Sequence, residues 1–107
     1  MIKIKYIQIF VSCKNKKEAL ELSNLLLKEK LAACVQLLPI KSLYLWNGKI
    51  EKANEYLCLI KTINTKFENL VLKIKKHHSY KIPEILVMNI KDGNKDYFKW
   101  IERELKS

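Results

Sequence analysis

The chain has 107 residues, is 49% hydrophobic and contains two glycines, a composition that fits one globular domain over residues 1–107 and excludes a disordered or low-complexity chain. Its formal charge of +10 would by itself point to an acidic partner, but Arg103 is the sole arginine among 21 basic residues and the lysines are dispersed along the chain. A nucleic-acid surface is therefore not expected, because base reading and phosphate gripping favour the planar fork of arginine.

The first residues, MIKIKYIQIFVSC, alternate and lack an apolar signal-peptide core, so they read as a strand. Ile7, Ile9, Val11 and Cys13 share one face, while Tyr6, Gln8, Phe10 and Ser12 share the other. Apolar residues on both faces predict a central strand. In NKKEALELSNLLLKEK, Asn15 is placed to cap a helix with Glu18 three residues on, and Ala19, Leu22, Leu25 and Leu26 recur at helical spacing. Positive charge at Lys28–Lys30 suits that helix's end.

LAACVQLLP reads as a strand stopped or bent at Pro39, and SLYLW resumes the extended pattern. Asn47-Gly48 predicts a type I′ hairpin turn into the long return strand KIEKANEYLCLIKTI. Thr65 and Glu68 predict a second capping box, followed by a helical stripe of Phe67, Leu70, Val71 and Ile74 that runs out near His77–His78. EILVMNI is a last strand, DGN a turn, and DYFKWIEREL a final helix with Tyr97, Trp100, Ile101 and Leu105 on one face.

The resulting order, β-α-β-β-α-β plus a terminal helix, predicts an α+β, ferredoxin-like sandwich with an antiparallel sheet and two helices on one face. Its central hairpin, residues 31–64, is too long for so small a domain, and its tip carries Leu43, Tyr44, Leu45 and Trp46. An apolar tip predicts an interface rather than a solvated hairpin. No run reaches the roughly 18 apolar residues that span a membrane. Three cysteines with no CxxC predict free thiols in a reducing cytoplasm.

Several stretches together resemble the CutA divalent-cation-tolerance family: Lys30-Leu31-Ala32-Ala33-Cys34-Val35, Pro39, Ser42 through Ile50, Glu55, Lys61-Thr62, then His78, Tyr80, Pro83-Glu84-Ile85, Tyr97 and Trp100. The resemblance covers nearly the whole chain in order. It implies a ferredoxin-like protomer in a homotrimer with interdigitated hairpins, linked to tolerance of copper or another divalent metal, and without an assigned reaction. This chain departs from the family pattern at Ser79, where the family often has proline. It departs again at Val11, which aligns with a cysteine proposed to ligate copper in some bacterial members.

Residues 76–85, KHHSYKIPEI, hold the only histidines. Adjacent helical residues diverge by about 100°, so His77 and His78 grip one ion together only at a frayed helix end. Imidazole and thiolate suit copper and zinc, which makes His77, His78, Cys13 and Cys34 the candidate metal ligands. The alternative is a helix-terminal histidine favoured by the dipole beside a packed neighbour, with Cys34 and Cys58 as small buried hydrophobes. No Ser/His/Asp set, paired carboxylates, phosphate loop or HExxH occurs, so no enzymatic reaction is expected.

Lys61, Glu55, Tyr80 and Glu84, with Tyr44 and Trp46, are candidates to line a cleft between subunits. There they would form either an ion pair that locks the trimer or a small-anion site. Two readings follow: a metal-tolerance trimer whose partner is a metal ion, and a PII-like signalling or scaffold trimer that binds a small anion, the latter by analogy of fold alone.

Overall fold

The computed structural model describes residues 2–106. The chain forms β1 (Tyr6–Cys13), α1 (Lys16–Lys28), β2 (Cys34–Trp46), β3 (Lys49–Ile63), a 3₁₀ turn (Asn64–Lys66), α2 (Phe67–His77), β4 (Ile85–Asn89) and α3 (Lys95–Leu105). The four strands make one sheet in the order β2-β3-β1-β4, with every neighbouring pair antiparallel.

β1 is central, as its two apolar faces require. Ile7, Ile9, Val11 and Cys13 are buried, and they pack with Cys58 and Ile60 of β3 against Ala19, Leu22 and Leu26 of α1 and Leu70 and Ile74 of α2. Each buried Ile, Leu and Val among them contributes about 1.5–3 kcal/mol of burial. A smaller cluster, Ile63, Ile101 and Leu105, seats α3 against Tyr6 and Ala33.

α1 begins as expected: Asn15 Oδ1 accepts the Glu18 N–H at 2.9 Å. The Glu18 carboxylate reaches one residue further back than a capping box does, accepting the Lys14 N–H at 3.2 Å. The helix stops through its backbone. Lys30 adopts φ 55°, the Leu31 N–H donates to Leu26 O and the Lys30 N–H to Leu27 O, which together make a Schellman motif.

Three expectations need correction. β2 runs unbroken through Pro39, which pairs with Tyr56. It is an edge strand with one neighbour, so a missing N–H there need not interrupt a ladder. Thr65 and Glu68 form no capping box, because the 3₁₀ turn occupies that position and α2 starts at Phe67 without a side-chain cap. On α3, Phe98 rather than Tyr97 packs toward the core, and Tyr97 is exposed.

The hairpin extends well past the body. β1 pairs with β3 only from Tyr56 to Ile63, whereas β2 follows β3 out to Trp46 opposite Lys49. Beyond Tyr56 the sheet is therefore a two-stranded arm, which draws the molecule out to 46 Å along one axis against 26 and 24 Å along the others. Asn47 (φ 50°) and Gly48 (φ 77°) form its turn, both in the left-handed region that a type I′ turn requires. Leu45 is 73% exposed, Ile50 71% and Trp46 56%, values that soluble surfaces rarely gather in one place.

Candidate metal centre

Three elements meet at one end of the helical layer. β1 ends at Cys13, α1 begins after the bend at Lys14–Asn15, and α2 gives way to an extended residue at His78 (φ −80°, ψ 140°). This brings the donor atoms of Cys13, Glu18 and His78 within 4.8 Å of one another.

Each donor already has a partner. The His78 Nδ1 accepts the Tyr80 N–H at 3.0 Å, and its Nε2 lies 2.8 Å from the Ser12 carbonyl. An N–H facing Nδ1 and a carbonyl facing Nε2 assign the neutral tautomer with its proton on Nε2. Glu18 Oε2 accepts the Ser79 N–H at 3.0 Å, while Oε1 accepts from Lys14. Partial burial works against ionisation of Glu18, but the bonds from Ser79 and Lys14 hold its carboxyl below the ordinary carboxylate value. Contact with the Cys58 thiol, together with burial, pushes the Cys13 thiol up and keeps it protonated.

Beside this cluster, Tyr80 Oη donates to Glu55 Oε2 at 2.7 Å. Burial of the phenol, then its bond to Glu55, raises the Tyr80 pKa. Glu55 itself is buried and is the first β3 residue beyond the part paired with β1.

The donor chemistry fits a borderline metal. A thiol, an imidazole and a carboxylate suit zinc or copper and not calcium or magnesium, which take oxygen ligands. Tetrahedral bonds of about 2.0–2.3 Å would set the donors roughly 3.5 Å apart, and His78 must exchange one of its hydrogen bonds for a metal bond.

Of the four metal-ligand candidates, the protomer brings together Cys13 and His78. His77 is the exposed last residue of α2 and faces a cleft shared with Lys14, Glu18 and Glu21. Cys34 opens β2 opposite Lys61, five β3 positions from the partner of Cys13, and its thiol lies beside Tyr97. The residue missed was Glu18, whose capping position hid its second contact, 61 residues away at Ser79.

Of the cleft candidates, Glu55 and Tyr80 are joined. Lys61 lies six residues along β3 from Glu55, about 20 Å, and bonds Gln36 instead. Glu84 is exposed ahead of β4, and Tyr44 and Trp46 stand on one face of the arm. Within one protomer these residues do not converge.

The fold and the cluster define an α+β protein with a thiol, a carboxylate and an imidazole gathered at the junction of its central strand and both core helices. Residues 7–104 match the family model described as CutA1 divalent ion tolerance protein. The Divalent-cation tolerance protein CutA of Yersinia pestis (strain Pestoides F) is 41% identical over 100 residues, covering 92% of this chain and 84% of that protein. The solved structure of the periplasmic divalent cation tolerance protein CutA from Archaeoglobus fulgidus superposes with a TM-score of 0.92 at 37% identity, covering 94% of this chain and 99% of that one. CutA1 from Oryza sativa superposes at 0.91 with 36% identity, covering 94% and 93%. The chain belongs to the CutA1 divalent-ion-tolerance family. Among the described residues no helix is long and apolar enough to cross a membrane.

Proposed function

We propose that the chain is a cytoplasmic, ferredoxin-like homotrimer that takes up copper or another borderline metal at Cys13, Glu18 and His78 and catalyses no reaction of its own. The observation that carries the metal reading is the convergence of those three donors. The sheet order, with β3 between β1 and β2 and β1 between β3 and β4, supports the ferredoxin-like assignment. The two-stranded apolar arm supports the trimer, since an isolated two-stranded ribbon is marginal in water. Lys61 and Glu84 join the Glu55–Tyr80 pair in this reading only across a subunit boundary.

The test is equilibrium dialysis of untagged protein with Zn²⁺, and with Cu⁺ under reducing conditions. The wild type should bind about one ion per chain, and Cys13→Ala and Glu18→Gln should each weaken binding at least ten-fold, as loss of a ligand does. Wild-type affinity in both variants would remove these residues from any metal site.

One observation favours the small-anion reading. A cavity at the foot of the arm is lined by Lys14, Lys16 and Lys41 around Glu55. Titration with inorganic phosphate or a nucleotide, set beside the metal titration, separates the two readings.

A further inference from the structure

The hydrogen bonds that occupy Glu18 and His78 also fasten the chain that follows α2. The Ser79 N–H is tied to Glu18, the Tyr80 N–H to His78, and the Tyr80 hydroxyl to Glu55 at the root of the arm. This makes a continuous latch from the donor cluster, through residues 78–80, to the point where the hairpin leaves the body.

The latch and a metal compete for the same atoms. Neutral imidazole that ligates through one nitrogen carries its proton on the other. If His78 ligates through Nδ1, it drops the Tyr80 N–H directly. If it ligates through Nε2, the proton there passes through solvent to Nδ1, which then meets the Tyr80 N–H donor against donor. Either choice costs Tyr80 its acceptor. The Glu18 bonds to the Ser79 and Lys14 N–H groups weaken as well, because an oxygen that shares its charge with a cation is a poorer acceptor.

We infer that the Cys13–Glu18–His78 cluster is a metal-operated latch: its occupancy releases residues 78–80 and, through Tyr80 and Glu55, loosens the root of the projecting arm. This rests on the metal reading above and adds to it a way for the arm to respond to metal. Coupling of this kind is reciprocal, so whatever weakens the latch must tighten metal binding.

Two measurements on the full-length assembly test it. In the first, amide hydrogen exchange is followed during Zn²⁺ titration. The Ser79 and Tyr80 amides should lose protection by about ten-fold or more at saturation, the equivalent of one charge-assisted hydrogen bond. Stoichiometric Zn²⁺ binding with unchanged or greater protection would overturn the latch and leave the metal site standing. Failure to bind Zn²⁺ at all would overturn both, which keeps the two failures apart.

The second measurement uses Ser79→Pro, which deletes the N–H held by Glu18 without touching a ligand. His78 already has the extended conformation that a following proline demands. Ser79→Ala keeps that N–H and removes only the hydroxyl, so it serves as the control. Zn²⁺ affinity should rise by about ten-fold in Ser79→Pro and stay at the wild-type value in Ser79→Ala. No gain in Ser79→Pro, with circular dichroism matching wild type, would also overturn the inference.

Discussion

The ring of Tyr6 lies flat on that of Phe98, with centroids 4.1 Å apart and 5° between the planes. This stack seats α3 against the first residue of the central strand β1, and the Tyr6 hydroxyl adds a bond to Glu102 one turn further along the helix. Gly93 stands against the Cζ end of the Phe98 ring. A Cβ built there would come within 2.9 Å of Phe98 Cζ.

The ring is held by its stack on Tyr6 and has little room to retreat. Gly93→Ala should therefore destabilise the fold by about 1–3 kcal/mol, the usual cost of overpacking. Urea denaturation of Gly93→Ala, Phe98→Leu and the double variant checks the cause. The effect of Gly93→Ala should shrink when the ring is absent, and equal effects in both backgrounds would acquit Phe98.

The hairpin arm should hold the proposed trimer together. Tyr44→Ala/Trp46→Ala removes two half-exposed aromatics from one strand face, at about 2–4 kcal/mol of interface energy each. Light scattering should show the wild type as three 12.7 kDa chains and the double variant as monomer or aggregate. Lys99→Ala, on the exposed side of α3, serves as the control and should change nothing. A double variant that stays trimeric with an unchanged melting temperature would disprove the arm's role.

Stability should fall at strongly alkaline pH. The bond to Glu102, then burial, raises the pKa of Tyr6 above its ordinary 10.0, and burial followed by the Glu55 bond does the same for Tyr80. A raised folded-state pKa favours the neutral phenol. Its contribution is thus complete below pH 10.0 and is lost as pH climbs through the higher folded values. Tyr6→Phe and Tyr80→Phe should each flatten this alkaline loss, read as melting temperature against pH from 8 upward. An identical decline in wild type and both variants would show that neither phenol carries it.

Binding to duplex DNA should be weak in spite of the +10 charge. Dispersed lysines reach few phosphates at once, so few counterions are released and the salt slope is shallow. Fluorescence anisotropy at ~150 mM salt should find no submicromolar complex.

Local signals were legible in the sequence wherever one residue's chemistry decided its own backbone. Asn15 caps the helix it precedes, Asn47-Gly48 turns the hairpin, and the two-faced alternation of β1 places that strand inside the sheet. Pro39 misled because a proline looks the same in sequence whether its strand has one neighbour or two. Thr65 misled because a 3₁₀ turn competes for the same few residues.

The site was half legible. His78 and Cys13 were marked by their donor chemistry. Glu18 was assigned to capping, and only the tertiary approach of residue 79 gives it a second task. Phe98 was passed over because Tyr97 and Trp100 fit a helical stripe equally well, and only the position of Tyr6 chooses between the faces.

The arm also orders events in time. Its strands are joined by a two-residue turn, so β2 and β3 can zip together on a microsecond scale after synthesis passes Ile63. β4, by contrast, must find β1 across some 80 residues of chain, pairing Asn89 with Ile7. A newly made chain therefore displays Leu45, Trp46 and Ile50 before its own sheet is closed and before any second copy has arrived. Refolding yield should consequently depend on chain concentration in both directions: dilution starves the arm of its partner, and crowding lets unfinished arms stick to one another.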